Sequence, residues 1–82
     1  MTRFLLTFET EGRRIRVPFE GAEFAAMMSM FMEFCRDENT FPYVDVQVLT
    51  ETGVYFSFAN CHQIRRANVA NKFGVPSGVI RQ

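Results

Sequence analysis

Apolar and polar residues alternate along four stretches of the chain, the period that turns successive side chains to opposite faces of a β-sheet. In the first, Phe4, Leu6 and Phe8 face one way while Arg3, Leu5 and Thr7 face the other. In the second, Ile15, Val17 and Phe19 oppose Arg14, Arg16 and Pro18. In the third, Val44, Val46 and Val48 oppose Tyr43, Asp45 and Gln47, and in the fourth Val54, Phe56 and Phe58 oppose Tyr55, Ser57 and Ala59. Thr10-Glu11-Gly12 separates the first two stretches and Glu51-Thr52-Gly53 the last two. Each sets a glycine where a tight connection needs positive φ, so two hairpins are predicted. Pro18 lacks a backbone donor, which assigns the second strand to a sheet edge or a bulge.

Between the hairpins the period lengthens to that of a helix, from Gly21 to about Glu38. Phe24, Met27, Met28, Phe31, Phe34 and Cys35 form one stripe, with Ala26, Ser29, Glu33 and Asp37 opposite. Glu20 and Glu23 suit the positive N-terminal end of such a helix, and Asn39 followed by Pro42 stops it. After the fourth stretch Asn60 caps a second helix running to about Phe73, where Gly74 and Pro76 end it.

The predicted fold is α+β, with elements in the order ββαββα. A four-stranded, mainly antiparallel sheet packs on one main helix, followed by a short second helix and a C-terminal tail. The repeated order has two readings, a duplicated half related by a local two-fold or a coincidence of two common hairpins. The 82 residues, 48% apolar with ten Phe and five Met, supply one core without needing disulfides or a metal. A single domain over residues 1–82 is expected, with a body at 1–59 and a basic helix and tail at 60–82.

No stretch reaches the roughly 20 apolar residues of a membrane helix, since Ser29 and Glu33 interrupt the run from Phe24 to Phe34. Glu9 and Glu11 cut off the apolar start before a signal-peptide core forms, so a cytoplasmic location is expected. Cys35 and Cys61 lack zinc-binding spacing and are too few for a disulfide framework. Buried free thiols are expected, with their mutual pairing left open.

Formal net charge is zero, yet the charge is divided along the chain. Residues 1–51 carry nine acids against the five bases Arg3, Arg13, Arg14, Arg16 and Arg36, a balance of −4. Residues 52–82 carry no acid and four bases, Arg65, Arg66, Lys72 and Arg81, a balance of +4. Such a dipolar chain orients a charged partner without a net charge of its own.

Catalytic constellations are missing from the pattern. His62 is the single histidine, beside Cys61, and adjacent residues point apart, so a capping or surface role is expected for it. Asp37 and Glu38 read as a solvated helix end. Neither a phosphate-binding glycine loop nor a metal-ligand spacing is present, and no cofactor or metal is expected. The expectation is a protein that is not an enzyme.

Binding features are more informative. Met30 and Met32 stand at the margins of the helical stripe, where adaptable thioethers suit a surface that repacks against a partner or a second copy. Arg3, Arg14, Arg16, Tyr43 and Tyr55 share the outward sheet face, the combination that stacks bases and pairs phosphates of single-stranded nucleic acid; Asp45 and Leu49 interrupt it. The run Val69, Ala70, Asn71, Lys72, Phe73, Gly74, Val75, Pro76, Ser77, Gly78, Val79, Ile80 resembles the helix-turn-helix signature of DNA-binding proteins. That resemblance covers about 15 residues and implies Ala70 at the helix crossing, Phe73 in a core and Gly74 at the turn.

Two functions are therefore expected from these residues. The first is a small binding protein that regulates or inhibits a macromolecular partner, with Arg65, Arg66, Lys72 and Arg81 against an acidic protein surface and Met30 and Met32 as apolar anchors. Its size and architecture match phage and mobile-element accessory proteins, such as anti-CRISPR inhibitors, by analogy alone. The alternative is nucleic-acid binding through the sheet face or the C-terminal segment.

Overall fold

The structure, a computed structural model, describes residues 2–72, with side chains described as far as Ala67. The predicted order is realised. Strands β1 (Arg3–Thr10) and β2 (Arg13–Glu20) lead through a 3-10 turn at Gly21–Glu23 into helix α1 (Phe24–Arg36). Strands β3 (Tyr43–Leu49) and β4 (Tyr55–Asn60) then lead directly into helix α2 (Cys61–Lys72).

All pairings are antiparallel and the sheet order is β2-β1-β3-β4. β1 and β3, which carry the buried Leu6, Val44 and Val46, lie inside, while β2 with Pro18 lies at one edge. Strands β2 and β3 run the same way on either side of β1, and α1 crosses between them. The order is that of two hairpins joined inner strand to inner strand. A local two-fold through the Leu6–Val46 pair carries Phe4 towards Val44 and Phe8 towards Val48.

The first hairpin turns on Glu11 (φ 52°) and Gly12 (φ 74°), with Thr10 paired to Arg13. Two successive positive φ values define the tight turn whose twist matches its strands. The second turn spans Thr50 to Val54, closed by Thr50 N–H donating to the Val54 carbonyl at 2.9 Å, with Gly53 at φ 85°.

The helix begins later than its stripe suggests, because Gly21–Glu23 form a 3-10 turn. There the Glu23 carboxylate accepts from the Glu20 N–H at 3.2 Å. It ends at Arg36. Asp37 makes the exit turn, its Oδ1 accepting from the Thr40 N–H at 3.2 Å and its carbonyl from the Phe41 N–H at 2.9 Å. That hydrogen bonding holds the Asp37 carboxyl below the usual carboxylate range, so this exposed acid is explained as a turn residue.

Phe4, Leu6, Phe19, Phe31, Cys35, Val44, Val46 and Cys61 are buried, with Phe24, Met27, Met28 and Phe34 of α1 packed around them. Phe4 stacks on Phe19 with ring centroids 5.1 Å apart, and Phe34 on Phe41 at 3.9 Å.

Strand β4 departs from the expected alternation. Ala59 lies opposite Val46 and Ser57 opposite Gln47, so Phe58 is an extra residue, a β-bulge. The bulge brings Ala59 to the core face, against the expectation that it shares a face with Tyr55 and Ser57. Phe56, expected in the core, is 57% exposed. The reason is coverage: a helix about 10 Å across cannot roof four strands spaced about 4.8 Å apart, and α1 lies towards β2, β1 and β3.

Candidate binding surface on the fourth strand

The register places the outward side chains in rows across the sheet. One row runs Arg14, Glu9, Tyr43, and the next Arg16, Thr7, Asp45, Asn60. A further row runs Glu20, Arg3, Leu49, Tyr55. Bases and acids therefore alternate. The Arg14 Nε donates to Glu9 Oε2 at 3.0 Å, and its guanidinium lies 5.3 Å from the centre of the Tyr43 ring. Glu9 in turn holds the Arg14 pKa above its ordinary value.

Tyr43 donates its hydroxyl proton to Asp45 Oδ2 at 2.5 Å. This bond, with burial and the Asp45 charge, pushes the phenol up to about 12. Arg3 lies 4.0 Å from Glu20. Of the five residues predicted for nucleic acid, Arg3 and Arg14 thus face carboxylates and Tyr43 is engaged by Asp45. Arg16 and Tyr55 are exposed, at opposite sides of the sheet.

The basic residues of the C-terminal part separate into different roles. Arg65 turns inward: its Nε donates to the Cys35 carbonyl at 2.9 Å, its Nη2 to Phe41 at 2.7 Å and its Nη1 to Pro42 at 3.1 Å. The guanidinium thus caps the last turn of α1, whose carbonyls lack helical partners. Arg66 is exposed one position later. The Lys72 side chain, Arg81 and the helix-turn-helix-like segment beyond Lys72 lie outside the described residues.

Met30 and Met32 do not converge. Two positions on a helix differ by about 160° in direction, so they flank the core stripe on opposite sides. Met30 is 41% exposed, whereas Met32 is half-buried against the core.

Cys35 and Cys61 are buried free thiols. Burial, reinforced by the neighbouring Cys61 and opposed by Arg65, pushes Cys35 up to about 11. The Cys61 Sγ accepts from the Val44 N–H at 3.4 Å, and the next residue, His62, is exposed. Among the described residues no cluster of three His, Cys, Asp or Glu has the arrangement to hold a metal ion, and no helix is long and apolar enough to cross a membrane.

Among the described residues the largest departure from ordinary surface chemistry is at β4. Val54, just before β4, and Tyr55, Phe56 and Phe58 within it are 40% to 57% exposed along one edge of the sheet. Phe58 leans inward, its ring meeting Phe4 at 5.8 Å and Phe24 at 5.7 Å, both edge-on. Phe56 and Val54 project beyond it. Scattered apolar residues are ordinary on a protein surface, but an adjoining group on a free strand marks an interaction surface. Sequence reading missed it because alternation alone sends Phe56 to the core. The available signal was width: one long helix is too narrow to cover four strands.

Comparison with known protein families, with curated proteins and with solved structures returns no match.

Proposed function

We propose that this chain is a non-enzymatic binding protein that regulates or inhibits a macromolecular partner through protein contacts, with the β4 flank as its contact surface. The observation that carries this reading is the exposure of Phe56 and Phe58 on an edge strand. Aromatic rings set in this way bury a large area at low entropic cost when a partner arrives. The arrangement of the outer sheet face supports a protein partner over nucleic acid, because Arg3 and Arg14 already face Glu20 and Glu9. Arg66 is available to an acidic rim on the partner. A role as a phage or mobile-element accessory inhibitor remains part of the proposal, on size and architecture.

Affinity capture from the native host with the wild-type chain, beside Phe56→Arg and Arg66→Glu, tests it. A specific protein retained by the wild type and lost with Phe56→Arg is the expected result. Recovery of nothing by a folded bait, or retention indifferent to Phe56, overturns the reading. Salt-sensitive binding of single-stranded DNA or RNA, lost on replacing Arg16 and Tyr55, would favour nucleic acid instead.

A further inference from the structure

We infer that the β4 edge takes a second copy of this chain, pairing β4 with its symmetry mate in antiparallel fashion to give one continuous eight-stranded sheet. This rests on the reading of β4 as the contact surface: in the free chain a second copy occupies it, and a foreign partner displaces that copy to reach Phe56.

The two edges of the sheet are chemically opposite. β2 carries Arg13, Arg14, Arg16 and Pro18, which repel an identical strand and interrupt its ladder, two recognised guards against strand addition. β4 carries neither, and its bulge lies at Phe58, past the Tyr55 to Ser57 stretch that would pair. No charged residue lies between Thr52 and Cys61, so a two-fold axis on this strand brings no like charges together. That self-compatibility singles out an identical strand. A partner recognised by charge would need charged residues here to meet it.

The backbone fixes the register. Thr50 N–H donates to the Val54 carbonyl, so Val54 directs its peptide groups towards β3. Alternation along an antiparallel ladder turns Phe56, opposite Val48, the same way and leaves those of Tyr55 and Ser57 directed outward. With Phe56 on the two-fold axis, Tyr55 of one copy exchanges hydrogen bonds with Ser57 of the other. Phe56 then meets its own mate in the close, non-hydrogen-bonded position, and Val54 lies across from Phe58. One register thus satisfies the outward peptide groups and covers the three apolar side chains on the helix side.

The exposed parts of Val54, Phe56 and Phe58 amount to roughly 300 Å² per copy. A standard interface buries about 800 Å² per partner, so backbone and rim supply the rest. The expected assembly is reversible, dissociating in roughly the micromolar to tens-of-micromolar range.

Sedimentation equilibrium of the full 82-residue chain tests this. The mass should rise with concentration from 9.5 kDa towards twice that value. Phe56→Arg sets like charges across the axis and Ser57→Pro removes an outward N–H that the β3 ladder does not use. Each should weaken the dimer at least tenfold while leaving the far-ultraviolet dichroism unchanged. Phe56→Cys should form a disulfide-linked dimer under mild oxidation, which reports the register independently. A wild-type chain that stays monomeric at about 500 μM, or a dimer untouched by both Phe56→Arg and Ser57→Pro, overturns the inference. A monomer that still captures a foreign protein through Phe56 overturns the second copy alone. Loss of both behaviours overturns the proposed function as well.

Discussion

The guanidinium of Arg65 donates to the backbone carbonyl of Cys35, thirty residues earlier in the chain, at 2.9 Å. With its bonds to Phe41 and Pro42, one side chain ties α2 to the end of α1 and to the loop that enters β3. Replacing it leaves three carbonyls without this donor. Arg65→Met should cost about 2 kcal/mol, a fall in Tm on the order of 10 °C for a domain of this size. Arg65→Lys should recover little, because an ammonium lacks the planar fork that reaches three acceptors. Thermal unfolding followed by circular dichroism measures both.

The first turn is open to improvement. Glu11 holds φ 52°, a conformation side chains rarely adopt, whereas Gly12 at φ 74° is suited to its place. Glu11→Asn should stabilise the fold by about 0.5 kcal/mol, since Asn-Gly is the preferred pair for this turn. Gly12→Ala should destabilise by about 1 kcal/mol although a Cβ there meets nothing within 4 Å. Urea unfolding of the two variants gives opposite signs if backbone conformation, not packing, governs the site.

Phe56 and Phe58 have similar exposure and different roles. Phe58 touches two rings and Phe56 touches none among the aromatic pairs of the described residues. Phe58→Ala should therefore cost roughly 1–2 kcal/mol, and Phe56→Ala less than about 0.5 kcal/mol. Dilute samples keep any association out of the comparison, and equilibrium denaturation supplies the numbers.

Stability should fall in alkaline solution in two steps. Cys35 has its pKa raised from 9.0 to about 11 by burial, with Cys61 adding and Arg65 opposing. Its native form thus keeps a proton that the unfolded chain releases. Its contribution is complete below about pH 9 and is lost as pH rises to about 11. Tyr43, raised from 10.0 to about 12 chiefly by its hydrogen bond to Asp45, extends the loss over the next interval. Urea midpoints measured across this range should flatten at the lower step in Cys35→Ala and at the upper step in Tyr43→Phe. The native Cys35 thiol should also resist alkylation at neutral pH.

Much of this fold was legible in the residues alone. Alternation at Phe4-Leu6-Phe8 and Val44-Val46-Val48, with glycines at 12 and 53, carries both hairpins and the inner strands. These are local signals, and local chemistry decides them. What escaped was long-range. The Arg65 fork depends on where α1 ends in space, and nothing near residue 65 announces that Cys35, Phe41 and Pro42 will offer carbonyls there. The β4 bulge escaped because period-two counting has no means of inserting an extra residue at Phe58. The separation of Met30 from Met32 follows from helix geometry alone, since residues two apart point about 160° away from each other.

Pro18 and the arginines of β2 also limit how far the sheet can extend. A chain with two receptive margins joins neighbours without end and yields fibres. Here one margin refuses an identical neighbour, so a pair formed through the other exhausts its own capacity to grow. Concentrating this protein should accordingly drive it to a particle of fixed mass that stays in solution, without the thickening or turbidity of open-ended polymerisation.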